Sequence, residues 1–575
     1  MVKSRWLWVV ICIILGLGML LCGLLVPSHL RAVDASVVER AGSKGPALLE
    51  EGRTLAGRQK LGTALMLMQA ARLAGISGWD RLGDSITNLA RQNPPALAWG
   101  NDSRAKALFD INAANVEADS GPFTDFIIRQ KNRDAALAHL RASSSPAVQE
   151  LLRTRSLTST ALLPPSSSSA GQAFDAAVSA GGLLLDGGSL STGLGRDLFA
   201  LAAQANRGAG SEPMEEALMD IVLLGQRLNW DQLTAFVGQI PDAATLHRLA
   251  DAARTAGGQL PVLFASIVVS GKPAAVADYL GKFSSTGLAD LGASMCYGAG
   301  GLDELLQSGR RFYHSNVLDR LAALNPFRAV VWGAANCVWK TPQLAMALKW
   351  LCYLLGGFLL AAAAHWARPA VAPLERPLQV RGFHLVREFL FSLGFLLVVL
   401  LLSEPFLTQE SQKGGFSLRL HLPVAGGGVP GGLAGIQQTI MNPIILLTLL
   451  FFLVLQALLY TASLVKLAEI RRQRVPPRMK LKLLDNEEHL FDAGLYLGFA
   501  GTIISFIIAS LGLVRFSLMA AYSSTCFGVI FVIVFKIFYL RPARRKLLLE
   551  AEADANFPDA QAASAAPAAA PTPAS

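Results

Sequence analysis

Charged side chains are scarce in this chain. Asp, Glu, Lys and Arg make up 16% of its 575 residues, where an ordinary soluble protein carries about 25%. That shortfall argues against an ordinary cytosolic enzyme. Cysteine is also scarce: six, scattered, too few for a small disulfide-framed secreted fold. Residues 27–343 contain no Gly-x-Ser-x-Gly elbow, no His-Glu-x-x-His pair, no Cys-x-x-Cys clip and no phosphate-binding glycine loop. Acidic clusters with metal-ligand spacing are missing too. His139, His247 and His314 stand alone on helical stretches and are expected to be surface residues. Neither catalysis, a metal nor a cofactor is therefore expected, and an interaction module is the default reading of this region.

What replaces charge is length of apolar run. Apolar residues make up 52% of the chain, and six segments reach the roughly 20 residues that a helix needs to cross a bilayer. They are Trp6 to Val26, Leu344 to Trp366 (with Lys349 inside it), Glu388 to Leu407, Met441 to Leu464, Ala493 to Leu513 and Ser517 to Leu540. With the N-terminus inside, the cytoplasmic pieces collect seventeen Lys and Arg residues against three in the short outer loops. This bias fixes the expected orientation: a bacterial inner-membrane, multi-pass protein, both termini cytoplasmic, residues 27–343 extracytoplasmic. The same bias accounts for most of the net charge of +10, so nucleic acid is not an expected partner. The first apolar run, 21 residues, exceeds the about 7–15 of a signal-peptide core. An uncleaved anchor is preferred to a cleaved leader.

The fold class expected is all-α: six transmembrane helices and a large extracytoplasmic helical domain. Leu233, Phe236, Val237 and Ile240 make one helical face, stopped by Pro241. Asp242 reads as the cap of the next helix, which carries Leu246, Leu249, Ala250 and Ala253 before Gly257 and Gly258. Helix starts near 231, 242, 261, 273, 287 and 301 recur as pairs about 26–31 residues apart, which suggests an α-solenoid. An irregular helical bundle is the competing reading. The expected organisation is an anchor (1–30), a helical unit (31–157), a solenoid-like unit (172–340), a five-span membrane domain (341–546) and a disordered cytoplasmic tail (547–575). The Ser/Pro-rich stretch 158–171 serves as the linker between the two helical units. Cys296 and Cys337 are the cysteines expected outside both cytoplasm and bilayer. They form a candidate disulfide, with two free thiols as the alternative.

The last two spans carry the functional signal. Gly494, Gly498, Gly501, Thr502 and Ser505 recur at helical spacing on one face, and Ser517, Ala521, Ser524, Thr525 and Gly528 do so on the next span. Small residues of this kind permit close backbone approach, and ordinary tight packing explains them on periodicity alone. Lys536, near the inner end of the last span, is expected to snorkel to the interface. Gln456 reads as inter-helix glue, and Glu404 as an interfacial carboxylate. No buried ion pair of the kind that marks a transporter is apparent.

The pattern Gly498-Phe-Ala-Gly-Thr502, then Ala520-Ala-Tyr-Ser-Ser-Thr525-Cys-Phe-Gly528, resembles the last two helices of the MotA/TolQ/ExbB proton-channel family. The resemblance spans about residues 492–546. It departs from the family in its short connecting loop, its large outer domain, four preceding spans, and Ala520 where some members carry glutamate. It implies that Thr502 and Thr525 line an ion path, and that the chain forms a homo-oligomeric ring. It further implies a single-span partner that supplies an intramembrane aspartate, and work done on a periplasmic or cell-wall ligand. The rival expectation is a membrane-anchored scaffold that presents a helical interaction domain.

Overall fold

The computed structural model describes residues 2–43, 47–112, 121–367, 383–406, 443–510 and 518–556. Among these the chain is almost wholly helical, and its only strands are two three-residue segments. It divides into a unit made of Met1–Val26 with Gln343–Ser575 and a middle unit, Pro27–Pro342.

Among the described residues five helical stretches are long and apolar enough to cross a membrane: Trp6–Leu24, Ala243–Ser270, Pro342–Ala367, Leu449–Arg472 and Tyr522–Ala553. The protein is therefore multi-pass. The second of these stretches differs from the rest. It is two helices, Ala243–Ala256 and Leu260–Ser270, broken at Gly257, whose φ is +53°. One face buries Leu246, Leu249, Leu263 and Ile267 in the core of the middle unit, while Arg248, Asp251 and Arg254 are exposed. Charges on that face would be costly in lipid, so this pair is a core hairpin of the middle unit. Two further helices, Phe383–Ser403 and Ala493–Ser510, occupy apolar segments of the sequence.

In the membrane unit the helix Leu518–Phe535 runs through a π-turn, Lys536–Leu540, into Arg541–Asn556. Helix thus continues to Asn556, beyond residue 547, the expected start of the tail. The cause is a small apolar core in which Ala543 and Leu547 meet Ile470, Leu484 and Phe491, reinforced by an ion pair between Arg544 and Asp485. The remainder of that expected tail (557–575), the outer loop 408–442 and the 514–517 turn with Ser517 lie outside the described residues. Of Ser505 and Ala521 only the helical backbone is described.

The middle unit follows its helical pattern closely. Helices occupy Trp230–Val237, Ala243–Ala256, Leu260–Ser270, Pro273–Lys282, Gly287–Met295 and Gly298–Ser308. The Asp242 carboxylate accepts from the Thr245 amide at 2.7 Å, the expected cap. Pro261 and Pro273 sit in first turns, where a missing N–H costs nothing. One apolar core runs from Leu48 to Leu306. The 158–171 stretch is folded down rather than free: the Glu215 carboxylate accepts the amides of Ala161, Leu162 and Leu163 at 2.9, 2.6 and 2.7 Å. Burial pushes the Glu215 pKa up, but Ser211 and these three N–H groups outweigh it, and the net shift is downward.

The strands β1 (Ala32–Asp34) and β2 (Arg311–Tyr313) pair in parallel, Val33 opposite Phe312. They bring together segments from the two ends of the middle unit. Asp34 closes β1 and caps the following helix through the Ser36 amide, 3.0 Å. Nothing in the periodicity announces this pair, since three residues are too few to show alternation.

Candidate functional site

The helices Ala493–Ser510 and Leu518–Phe535 meet along a seam made of the small residues singled out in the sequence. A Cβ placed on Gly498 would lie 2.8 Å from the Ser524 carbonyl oxygen and 3.2 Å from the Thr525 Cα. One placed on Gly528 would lie 2.6 Å from the Gly494 carbonyl. Only glycine permits backbones this close. Gly501 is likewise pressed against the Ser524 side chain.

The two threonines meet inside this seam. Their hydroxyl oxygens are 2.5 Å apart. The Gly498 carbonyl lies 3.1 Å from Thr502 Oγ1 and 3.2 Å from Thr525 Oγ1, within reach of a donated bond from each. Two hydroxyl protons thus serve three close contacts. A third helix, Pro443–Arg472, joins through Gln456, whose Nε2 donates to the Gly494 carbonyl at 3.0 Å. Gln456 is thus inter-helix glue, in line with its reading from the sequence. Its Oε1 and the Ser524 hydroxyl are buried and find no partner among the described residues. Buried polar atoms are ordinarily satisfied, so two open valences at one seam are notable.

Lys536 does not snorkel freely. Its Nζ lies 2.7 and 2.9 Å from the two carboxylate oxygens of Asp492, because Asp492 precedes one seam helix and Lys536 follows the other. Polar groups therefore run from this ion pair through Gln456 to the threonines. Ten residues of helix separate Asp492 from Thr502, about 15 Å, or half of a bilayer core about 30 Å thick.

A second charged site corrects the reading of Glu404. Instead of facing water, the Glu404 side chain is buried by protein and accepts from Lys349 Nζ at 3.4 Å, the two side chains 0% and 2% exposed. The helix Pro342–Ala367 brings Lys349, and Phe383–Ser403 ends one residue before Glu404. The spans thus do contain a buried ion pair. One basic and one acidic residue, each inside an apolar segment, were the sequence signal. Desolvation makes their pairing close to obligatory once both helices are membrane-embedded.

Cys296 and Cys337 are both free thiols. Cys296 Sγ donates to the Ala74 carbonyl at 3.2 Å, while Cys337 Sγ is 3.8 Å from the Thr341 hydroxyl. The structure carries no bond between the two candidate cysteines: Cys296 caps the helix Gly287–Met295 and Cys337 lies within Asn325–Lys340. The histidines are not solitary. His139 meets Asp186 at 3.0 Å, His314 meets Asp319 at 2.7 Å, and His247 lies 3.1 Å from Asp220 and 3.3 Å from Glu216. Burial opposes charge on His247, but Asp220, Glu216 and Asp251 together outweigh it and raise its pKa. Among the described residues no group of side chains could hold a metal ion.

Set beside known protein families, characterised proteins and solved structures, the chain matches none of them.

Proposed function

We propose that this protein is a subunit of an ion-translocating membrane assembly, with Thr502 and Thr525 lining the path. The observation that carries this reading is the polar seam: paired hydroxyls beside two buried, unpartnered polar atoms, between helices that are otherwise apolar. Such groups are costly in lipid unless they serve packing or transport. In this reading the chain crosses a bacterial inner membrane six times, Phe383–Ser403 and Ala493–Ser510 included, with both termini in the cytoplasm. The middle unit, solenoid-like in its succession of helical hairpins, lies outside and engages a periplasmic or cell-wall ligand. The described part of the last span helix holds no carboxylate, so a single-span partner supplies an aspartate, as the resemblance to MotA/TolQ/ExbB implies, and the chain forms a ring.

A second reading has its own support. Both threonine hydroxyls are within hydrogen-bond reach of the Gly498 carbonyl, which is what pure packing needs. The protein is then a membrane-anchored scaffold that presents its helical module.

Native mass spectrometry of the complex from its own membrane separates the two. A ring of about five copies with two single-span partners supports the first, and a monomer or dimer without them supports the second. In vesicles, Thr502→Val with Thr525→Val should abolish ion flux while assembly persists. Undiminished flux in the assembled double variant overturns the ion path.

A further inference from the structure

Most of the middle unit hides its large apolar side chains. Between residues 27 and 316 the described exceptions are Leu73, Ile128, Leu162 and Phe199, each in a different part of the chain. Single exposures of this kind are ordinary. Residues 317–332 hold as many again: Val317, Leu324, Val330 and Trp332 are 47–62% exposed. Val317 belongs to the helix Asn316–Ala322, Leu324 caps the helix Asn325–Lys340, and the other two lie on that second helix. We propose that the helix Asn325–Lys340 lies on the bilayer surface, its exposed side set among phospholipid headgroups.

The helix is not loose. Val331, Ala335 and Val338, one helical face, are buried, and the helix Ala35–Gly42 packs against it. Asn336 Oδ1 accepts from Arg40 Nε at 3.3 Å, and the Arg40 guanidinium lies 4.4 Å from the centroid of the Trp332 ring. The Trp339 indole N–H donates to Glu304 at 3.1 Å. One side is thereby fixed. At about 100° per residue, Pro326, Ala329, Val330 and Gly333 fall on the opposite side, and all four are exposed. A helix that is apolar on both sides needs cover on both.

The position of the helix in the chain points to what covers the second side. It ends at Lys340, and Pro342 already begins the apolar helix Pro342–Ala367, which is long enough to cross a membrane. Thr341, at φ −139° and ψ +71°, breaks the two apart. Val330 therefore stands about 15 Å of helix from the point where the chain enters lipid. Exposed apolar surface is thus concentrated at the membrane entry instead of being spread over the middle unit. The local charge suits phosphate groups. Arg320, Arg328 and Lys340 are exposed, whereas the one acid of residues 316–341, Asp319, lies 2.7 Å from His314 Nε2. Tryptophan and basic side chains are the usual residues of a membrane–water interface. A helix on the bilayer surface requires neither an ion path nor a particular side of the membrane.

The test places the photocrosslinker p-benzoylphenylalanine at Leu324, Val330 or Phe199 of the full-length protein. Each variant is irradiated in the membrane that produced it and in phosphatidylcholine–phosphatidylglycerol nanodiscs, and the products are weighed intact. All three native side chains are exposed, and an unchanged melting temperature would verify that each variant folds. Leu324 and Val330 should give phospholipid adducts in both settings, and Phe199 none. A cross-linked dimer or a foreign protein at Val330 overturns the proposal. So does the loss of any lipid adduct there, or an equal lipid adduct at Phe199.

Discussion

Every described glycine with a positive φ lies in the middle unit, among them Gly257 and Gly271, where helices stop. In the membrane unit Gly494, Gly498, Gly501 and Gly528 sit inside helices, and three of them press directly on backbone or side chains of the facing helix. The contrast extends to buried polarity. The middle unit satisfies Glu215 and Asp231 largely with backbone amides and a threonine. The membrane unit instead sets Lys349 against Glu404 and inserts Gln456 between helices. Water explains the difference. In the middle unit expulsion of water from Leu and Phe drives packing, and glycine is free to end helices. Between lipid-embedded helices that drive is missing, so close backbone approach and polar contacts hold the helices together.

The comparison is tested most severely at the buried charges. Lys349→Met should destabilise the membrane unit by about 3–5 kcal/mol, since it removes the positive charge beside the buried Glu404 carboxylate. Lys349→Met with Glu404→Gln should recover most of that loss. Thermal melts in a fixed detergent measure both, and additive damage in the double variant would show that the pair does not act as a unit.

Next in size is the pH response of the middle unit. Burial pushes the Asp231 pKa from 3.8 up to about 6, against the pull of the Thr63 hydrogen bonds. A carboxyl whose folded pKa is raised holds its proton more tightly in the folded state. Its contribution to stability is therefore present below pH 3.8 and is lost as pH rises to about 6. The whole loss is on the order of 3 kcal/mol. Asp231→Asn should flatten that part of the melting-temperature profile, and a profile identical to the parent protein's would refute the assignment.

Glycine gives a paired test. Gly498→Ala should cost about 1–3 kcal/mol, because its methyl meets backbone at 2.8 Å. Gly292→Ala, in a middle-unit helix, meets only Val262 methyls, the nearest at 3.5 Å. It should be neutral or stabilising by up to about 1 kcal/mol. Equal effects at the two sites would remove the distinction between the units.

The smallest effect concerns the thiols. A reductant should leave the melting temperature unchanged, since Cys296 and Cys337 are free. A bridge would instead have contributed about 2–4 kcal/mol that reduction removes.

The sequence alone determined what depends on local order. Helical periodicity located the hairpins from residue 230 to 308, Asp242 announced its own cap, and Gly498 and Gly528 marked helices that approach closely. It also put Thr502 and Thr525 on small and hydroxyl faces of adjacent spans, while the contact between their hydroxyls came from the docking of the helices. Tertiary structure decided everything that depends on residues far apart in the chain. The β1–β2 pairing joins segments nearly 280 residues apart. The 158–171 stretch is fixed by Glu215, more than 50 residues away. Lys349 finds Glu404 across 55 residues. Periodicity reports which face of a helix is apolar. Which buried charge meets which, and which donors stay open, is set by how the helices dock, because desolvation acts only after they have come together.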